Sequence, residues 1–242
     1  MSSPLLEADG IAQRFGALVV LDGIDFTLES SESVGVVGPN GAGKTTLLNI
    51  LAGSQRPTSG RIRYEGSDVT GIRADRRCRM GIARTHQIPR PFTGMTVFEN
   101  VLVGAMIGAG QSRAGAYERT VDVLLTCGLV DVANRRAADL GLLDRKRLEL
   151  ARALATDPKV LFLDEIGGGL TDAEAMLLVG TIKRLHERGI AIIWIEHIVH
   201  VLVQAIDRLV CLDGGRIIAD GVPGDVLADT RVIDAYLGSA AS

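Results

Sequence analysis

Apolar and polar positions alternate along LLEADGIAQRF (5–15) and IDFTLES (24–30), the period of half-buried strands, with Phe15-Gly16 and Asp22-Gly23 as turn-prone separators. SVGVVG (33–38) is a short continuous apolar strand, and KTTLLNILAG (44–53) has helical spacing stopped by Gly53. GRIRYEGSDV reads as a hairpin bending at Glu65-Gly66, and IARTHQ (82–87) as another short strand. From about Ile88 to Leu150 the pattern turns helical, in TVFENVLVGAM and YERTVDVLLTCGL, joined by the Gly-rich GAGQSRAGA. A further helix opens at Leu-Gly-Leu-Leu (140–143). Strand and helix then alternate: VLFLDE (160–165), a helix within TDAEAMLLVGTIKRLHERG, AIIWIEH (191–197), a helix over IVHVLVQAID (198–207), and RLVCLDGGRIIADG. The closing GSAAS (238–242) reads as a frayed tail.

That order predicts an α/β fold, a mostly parallel sheet covered on both faces, with a helical insertion in its middle. The expected division is a core of residues 1–87 and 151–242 and a helical subdomain of residues 88–150, with an antiparallel β subdomain, all within a single domain. The length of 242 residues and a hydrophobic fraction of 47% are enough for one sizeable core.

Charge narrows the partners. A formal net charge of -3, with no basic block beyond the mixed run Arg73 to Arg79, disfavours nucleic acid. Cys78, Cys127 and Cys211 are odd in number and lack metal-ligand spacing, so reduced thiols of a cytosolic protein are expected. The opening MSSPLLEADG lacks the basic and apolar regions of a signal peptide. IAIIWI and HIVHVLVQAI fall short of the ~20 helical residues that span a bilayer. A membrane role then requires a partner to hold the chain there.

The chemistry is concentrated in two places. GPNGAGKTT, residues 38–46, follows a strand and opens a helix, and it fits G-x-x-x-x-G-K-[ST] in full. Gly38, Pro39, Asn40, Gly41, Ala42 and Gly43 form a loop whose amides can turn toward phosphate oxygens. The helix N-terminus at Lys44, Thr45 and Thr46 adds its partial positive charge. Lys44 is placed to reach the terminal phosphates, and the Thr45 hydroxyl to ligate Mg²⁺. VLFLDE supplies the second place: a core strand delivers Asp164 to its carboxyl end, to hold Mg²⁺ through water, with Glu165 next to it as general base.

Together these features resemble the ATP-binding subunit of an ABC transporter over essentially the whole chain. The resemblance implies that Phe15 stacks on the adenine ring. It also makes Gln87 the glutamine that senses Mg²⁺ and meets the membrane partner, and His197 the switch histidine on the γ-phosphate. GIARTHQIPRPFTGMTVFENVLVG (81–104) and GVPGDVLADTRVIDAYLG (221–238) resemble the ATPases of branched-chain amino acid importers. By that resemblance ATP and Mg²⁺ are the cofactors, and a second ATPase subunit, identical or different, completes a dimer. Transmembrane permease subunits and, indirectly, an extracytoplasmic solute-binding protein are the further partners. The chain is then a peripheral protein on the cytoplasmic face of the membrane.

One motif of the family is altered. Where Leu-Ser-x-Gly-Gln reaches the partner's nucleotide, this chain has Leu140, Gly141, Leu142, Leu143 and Asp144. A hydroxyl is lost at Gly141, a branched side chain stands at Leu143, and Asp144 brings a carboxylate toward an anion. Ile166 replaces the proline after Glu165, Thr171-Asp172 replace Asn-Pro or Asp-Pro, and Ile198 replaces the acid after His197. Residues acting on the chain's own nucleotide fit, whereas most of those that depart face the partner. The expectation is a competent cradle and a weakened site completed for the partner.

Other classes compete for the same residues. A nucleotide-gated regulatory subunit that binds ATP and hydrolyses it poorly is favoured by the altered signature and opposed by Glu165 and His197. ABC ATPases of translation or DNA repair usually carry fused units or a long coiled coil. A GTP switch would want an Asn-Lys-x-Asp motif, which does not occur here.

Overall fold

The computed structural model describes residues 3–239. β1 (Leu6–Phe15) and β2 (Leu18–Leu28) form a long antiparallel hairpin. The Asp22-Gly23 turn expected from sequence is absent. β2 runs straight through, and the register shift between Ile11↔Ile24 and Gln13↔Leu21 sets Asp22 and Gly23 against Ala12 alone, a bulge rather than a chain reversal. β3 (Ser33–Val37) leads into helix α1 (Lys44–Leu51). β4 (Ser59–Tyr64) and β5 (Ser67–Asp68) form the expected hairpin, and β4 joins β1 to give a sheet of order β2-β1-β4-β5.

The mixed basic run becomes a helix that the sequence pattern did not reveal, α2 (Ala74–Arg79). Its Arg77 is fully buried and donates to the carbonyls of Leu51 at 2.6 Å, Ile50 at 3.0 Å, Val69 at 2.6 Å and Ile72 at 2.9 Å. The guanidinium therefore supplies donors to the carbonyl end of α1, alongside the backbone N–H groups of Ala52, Gly53, Ser54 and Gln55. Burial holds its pKa down at about 10.

β6 is shorter than expected, Ile82–Arg84. Next come α3 (Val97–Val103), a π-helical turn at Gly104–Gly108, α4 (Arg113–Cys127) and α5 (Leu142–Ala155). Part of the Gly-rich link is thus taken into α4, which Ser112 caps. β7 (Val160–Asp164), α6 (Asp172–Glu187) and β8 (Ala191–Ile195) follow as the alternation implied. The helix expected over 198–207 shrinks to α7 (Val199–Leu202). β9 (Arg208–Asp213) and β10 (Arg216–Gly221) make a hairpin, and α8 (Pro223–Ala228) and α9 (Thr230–Ser239) close the chain. Of the expected frayed tail, the first two residues belong to α9, and residues 240–242 lie outside the described residues.

The second sheet has the order β10-β9-β3-β8-β7-β6, with β9, β3, β8, β7 and β6 parallel and β10 antiparallel at the edge. β3, β7 and β8 are buried at every position, as continuous apolar runs require. Their side chains alternate between two cores. Leu161, Leu163, Ile192 and Trp194 face a core shared with α5 and α6. Val34, Val36, Phe162 and Ile193 face a core shared with α1 and the β1–β2 hairpin. Because β3 sits beside β8, and β8 beside β7, the loops leaving their carboxyl ends emerge side by side. Among the described residues no helix is long and apolar enough to cross a membrane.

Candidate nucleotide site at the carboxyl edge of the sheet

The loop from β3 to α1 is shaped by backbone that only glycine adopts easily. Gly38 has φ +145°, and a Cβ there would lie 2.0 Å from the Leu212 carbonyl oxygen of β9. Gly43 has φ +101° and would drive a Cβ to 2.8 Å from the Val20 oxygen. The first turn of α1 contains no acidic residue and no side-chain cap, so its leading amides stay available to an anion. Lys44 folds back inside the loop, where its Nζ donates to the Gly38 carbonyl at 2.6 Å and the Pro39 carbonyl at 2.9 Å. It is 6% exposed, and burial lowers its pKa, with Glu165 partly opposing the shift.

β7 brings Asp164 and Glu165 to the same edge. Asp164 is 2% exposed. Its Oδ2 accepts from Arg84 Nη2 at 2.7 Å, and Arg84 also donates to Asn49 on α1. Its Oδ1 is buried with no partner among the described residues, which leaves a carboxylate oxygen fit for a cation or a cation-bound water. Glu165 has φ +47°, uncommon for a non-glycine residue. That geometry is held by its N–H on the Ile195 carbonyl at 2.9 Å and by two donors to its own carbonyl, Gly168 N at 3.2 Å and Lys146 Nζ at 3.3 Å. The Glu165 carboxylate is held at both oxygens: His197 Nε2 lies 2.7 Å from Oε1, and the Gln87 amide donates to Oε2.

A cleft of about 330 Å³ opens here, lined by Gly41, Gly43, Lys44, Thr45, Glu165 and His197, with Asn40, Ala42 and Thr46 alongside and Leu18 and Val20 on one wall. Gly38 and Pro39 act from behind, through the carbonyls that hold Lys44. Gln87 reaches the cleft through Glu165, and Asp164 stands beside it on the same strand. Phe15 does not line the cleft. It ends β1, paired with Leu18 across the hairpin turn and 54% exposed, and Leu18 takes the wall instead.

Three further side chains around this edge had no motif to mark them. Lys146 on α5 is 5% exposed and joins the Gln87 carbonyl, at 3.0 Å, to the Glu165 carbonyl. Glu196 is 2% exposed and accepts from Gly167 N at 2.7 Å and His197 N at 3.1 Å, and burial raises its pKa. Arg84 is the third. The altered residues have local accounts too. Ile166 is core at 2% exposed, and Ile198 packs against the same core. Thr171 caps α6 in a reciprocal pair with Glu174. Gly141 caps α5 without a side-chain bond, Leu142 is 45% exposed, and Asp144 is paired with Arg147 at 3.3 Å.

A phosphate loop, a buried aspartate on the next strand but one, and a Glu–His couple over the same cleft define a P-loop nucleotide triphosphatase. The chain belongs to the ABC transporter family: the family's model matches residues 21–167, and the model for the branched-chain amino acid ATP-binding cassette transporter matches residues 216–242. It is therefore an ATP-binding, ATP-hydrolysing cassette.

Among curated proteins it is 36% identical to the high-affinity branched-chain amino acid transport ATP-binding protein BraF of Pseudomonas aeruginosa, covering 99% of this chain and 100% of that one. It is likewise 36% identical, with the same coverage, to LivG of Escherichia coli, which carries the same description. Among solved structures, a nucleotide-free ATP-binding cassette from an ABC transporter matches with TM-score 0.88 and 29% identity over 97% of this chain and 99% of the other. An ATP-binding cassette in its ADP conformation matches with TM-score 0.87 and 30% identity, over 98% of this chain and 99% of that one.

Proposed function

We propose that this chain is the ATP-hydrolysing subunit of an importer for branched-chain amino acids or related small polar solutes. It works as one half of an ATPase dimer at the cytoplasmic face of the membrane. There it drives transmembrane permease subunits supplied from outside by a solute-binding protein. The hydrolytic part is carried by one observation: Lys44, Thr45 and the Glu165–His197 couple share a single cleft of about 330 Å³. The cargo is supported by the two relatives described as branched-chain amino acid transport proteins and by the C-terminal family match.

In this reading the amides of the 38–46 loop hold the phosphates, and Lys44 leaves the Gly38 and Pro39 carbonyls to meet them. Thr45, Gln87 and Asp164 would hold Mg²⁺, and the unpartnered Asp164 Oδ1 supports that role. Bound Mg²⁺ would neutralise charge on the terminal phosphates. Glu165 accepts the proton of the attacking water, and His197, already in contact with it, orients the carboxylate. Phe15 offers an exposed ring at the hairpin tip to the adenine. Replacing Lys44 by alanine is expected to abolish magnesium-dependent ATP affinity in the purified chain. Unchanged affinity would overturn the reading.

The start of α5 supports a second element, a weakened site on the partner's nucleotide. Gly141 offers no hydroxyl, and Leu143 brings bulk where the family has backbone. The Asp144–Arg147 pair offsets part of the repulsion expected of Asp144. The chain alone is then slow, and a mixed dimer with a partner bearing an intact signature is fast. Equal, fast turnover in both would exclude a weakened site. Slow turnover in both would favour the nucleotide-gated regulatory subunit.

A further inference from the structure

None of the roles above uses α9. It is seated by Val232, which is 2% exposed in the core shared with α5 and α6. One turn further on, the Tyr236 hydroxyl accepts a hydrogen bond from the Gly38 N–H at 2.9 Å. Gly38 is the first residue of the phosphate loop, and its carbonyl is the one that receives Lys44 Nζ at 2.6 Å. It also lies against Leu212 of β9 so closely that no Cβ fits. One glycine is thus gripped from three directions: by α9 through its N–H, by Lys44 through its carbonyl, and by β9 through contact. Burial raises the pKa of Tyr236, so the phenol is neutral at physiological pH.

We infer that Tyr236 is a positioning residue for the nucleotide site, by which the C-terminal helix fixes the first glycine of the phosphate loop. This rests on the cleft being the ATP site. When Lys44 turns from the Gly38 carbonyl toward phosphate, one of the three restraints is lost. The Tyr236 bond then keeps the loop in its receptive shape, so the ordering cost is already met before ATP arrives. Tyr236 does not line the cleft, so it acts on binding and leaves the hydrolytic step alone.

The test compares wild type, Tyr236→Phe and Lys44→Ala in the full-length chain. ATP affinity is read by titration with a fluorescent ATP analogue, turnover at saturating ATP in the mixed dimer, and exchange of the Gly38 amide by hydrogen–deuterium exchange. Phenylalanine keeps the ring and removes only the hydroxyl. A neutral hydrogen bond of ordinary strength corresponds to a rise in Kd of roughly 3- to 10-fold. The expected result is that rise, with kcat within about twofold of wild type and faster exchange at Gly38. Unchanged Kd and exchange in Tyr236→Phe, with binding lost in Lys44→Ala, would overturn the inference and leave the site intact. A lower kcat with unchanged Kd would overturn it too. Undiminished binding by Lys44→Ala would overturn the reading of the cleft instead.

Discussion

Glu165 and His197 meet at 2.7 Å, between Oε1 and Nε2, although they leave different strands. The pairing of β7 with β8, register Asp164↔Ile195, sets both at one edge. Gln87 holds the other oxygen of the same carboxylate, so the proposed base is aimed before nucleotide enters. Glu165→Gln keeps the shape and removes the proton acceptor. Turnover is expected to fall by about 10²- to 10⁴-fold with ATP still bound, measured as phosphate release alongside equilibrium binding. Activity within tenfold of wild type would remove Glu165 from the role of base.

Lys44 gives a pH-dependent prediction whose sign follows from its surroundings. Burial lowers its pKa below the ordinary 10.5 in the free chain, and bound phosphates raise it. Between the lowered value and 10.5 the free chain therefore lacks a proton that the complex holds, so ATP binding takes one up there. The same lowering means that the unfolded chain binds more protons in that window, so the free fold gains stability as pH rises through it. Calorimetric titration in buffers of different ionisation enthalpy is expected to show uptake in the alkaline window and little at neutral pH. Lys44→Ala removes the signal.

Lys146 is a buried cation among Glu196, Glu165, Asp164 and Glu149, all of which favour its charged form while burial lowers its pKa. Lys146→Met removes the donor shared by the Gln87 and Glu165 carbonyls and a cation near Glu196, while Asp164 keeps Arg84 and Glu149 keeps Arg152. The loss is expected to be about 2 kcal/mol in urea unfolding, the scale of leaving buried carbonyls without their donor. Because the φ +47° geometry of Glu165 depends on that donor, kcat is expected to fall more than ATP affinity. Equal losses in both would point to general loosening of the fold.

What the sequence disclosed was local. The 38–46 loop and VLFLDE carry their geometry in adjacent residues, and the strands buried on both faces announce themselves as apolar runs. Residues whose partners lie far along the chain had no such mark. Arg84 acquires meaning only when β6 is laid beside β7 and reaches Asp164, and Lys146 only when α5 crosses both site loops. Arg77 shows the same limit: a run of arginines reads as a solvated face until one of them is found inside, bonded to five carbonyls. Asp22-Gly23 looked like a turn because its residue types suit one, and a bulge suits them equally.

The altered signature can be repaired. Gly141→Ser restores a hydroxyl at the N-cap of α5, a position that favours serine. Leu143→Gly clears the branched side chain, and Asp144→Gln removes the carboxylate while releasing Arg147. Nothing within 4 Å opposes a side chain at position 141. The glycine at 143 costs up to about 1 kcal/mol of helix propensity plus the packing of a partly buried leucine, which the new N-cap offsets in part. The triple variant is thus expected to fold with a slightly lower Tm. If the native signature disables the site, the repaired chain alone gains turnover on the scale of a restored transition-state donor, about 10²- to 10³-fold. Its mixed dimer gains far less, because one of its two sites already has an intact signature. A repaired chain that turns over no faster than wild type, with ATP affinity retained, would show that Leu140 to Asp144 do not limit hydrolysis.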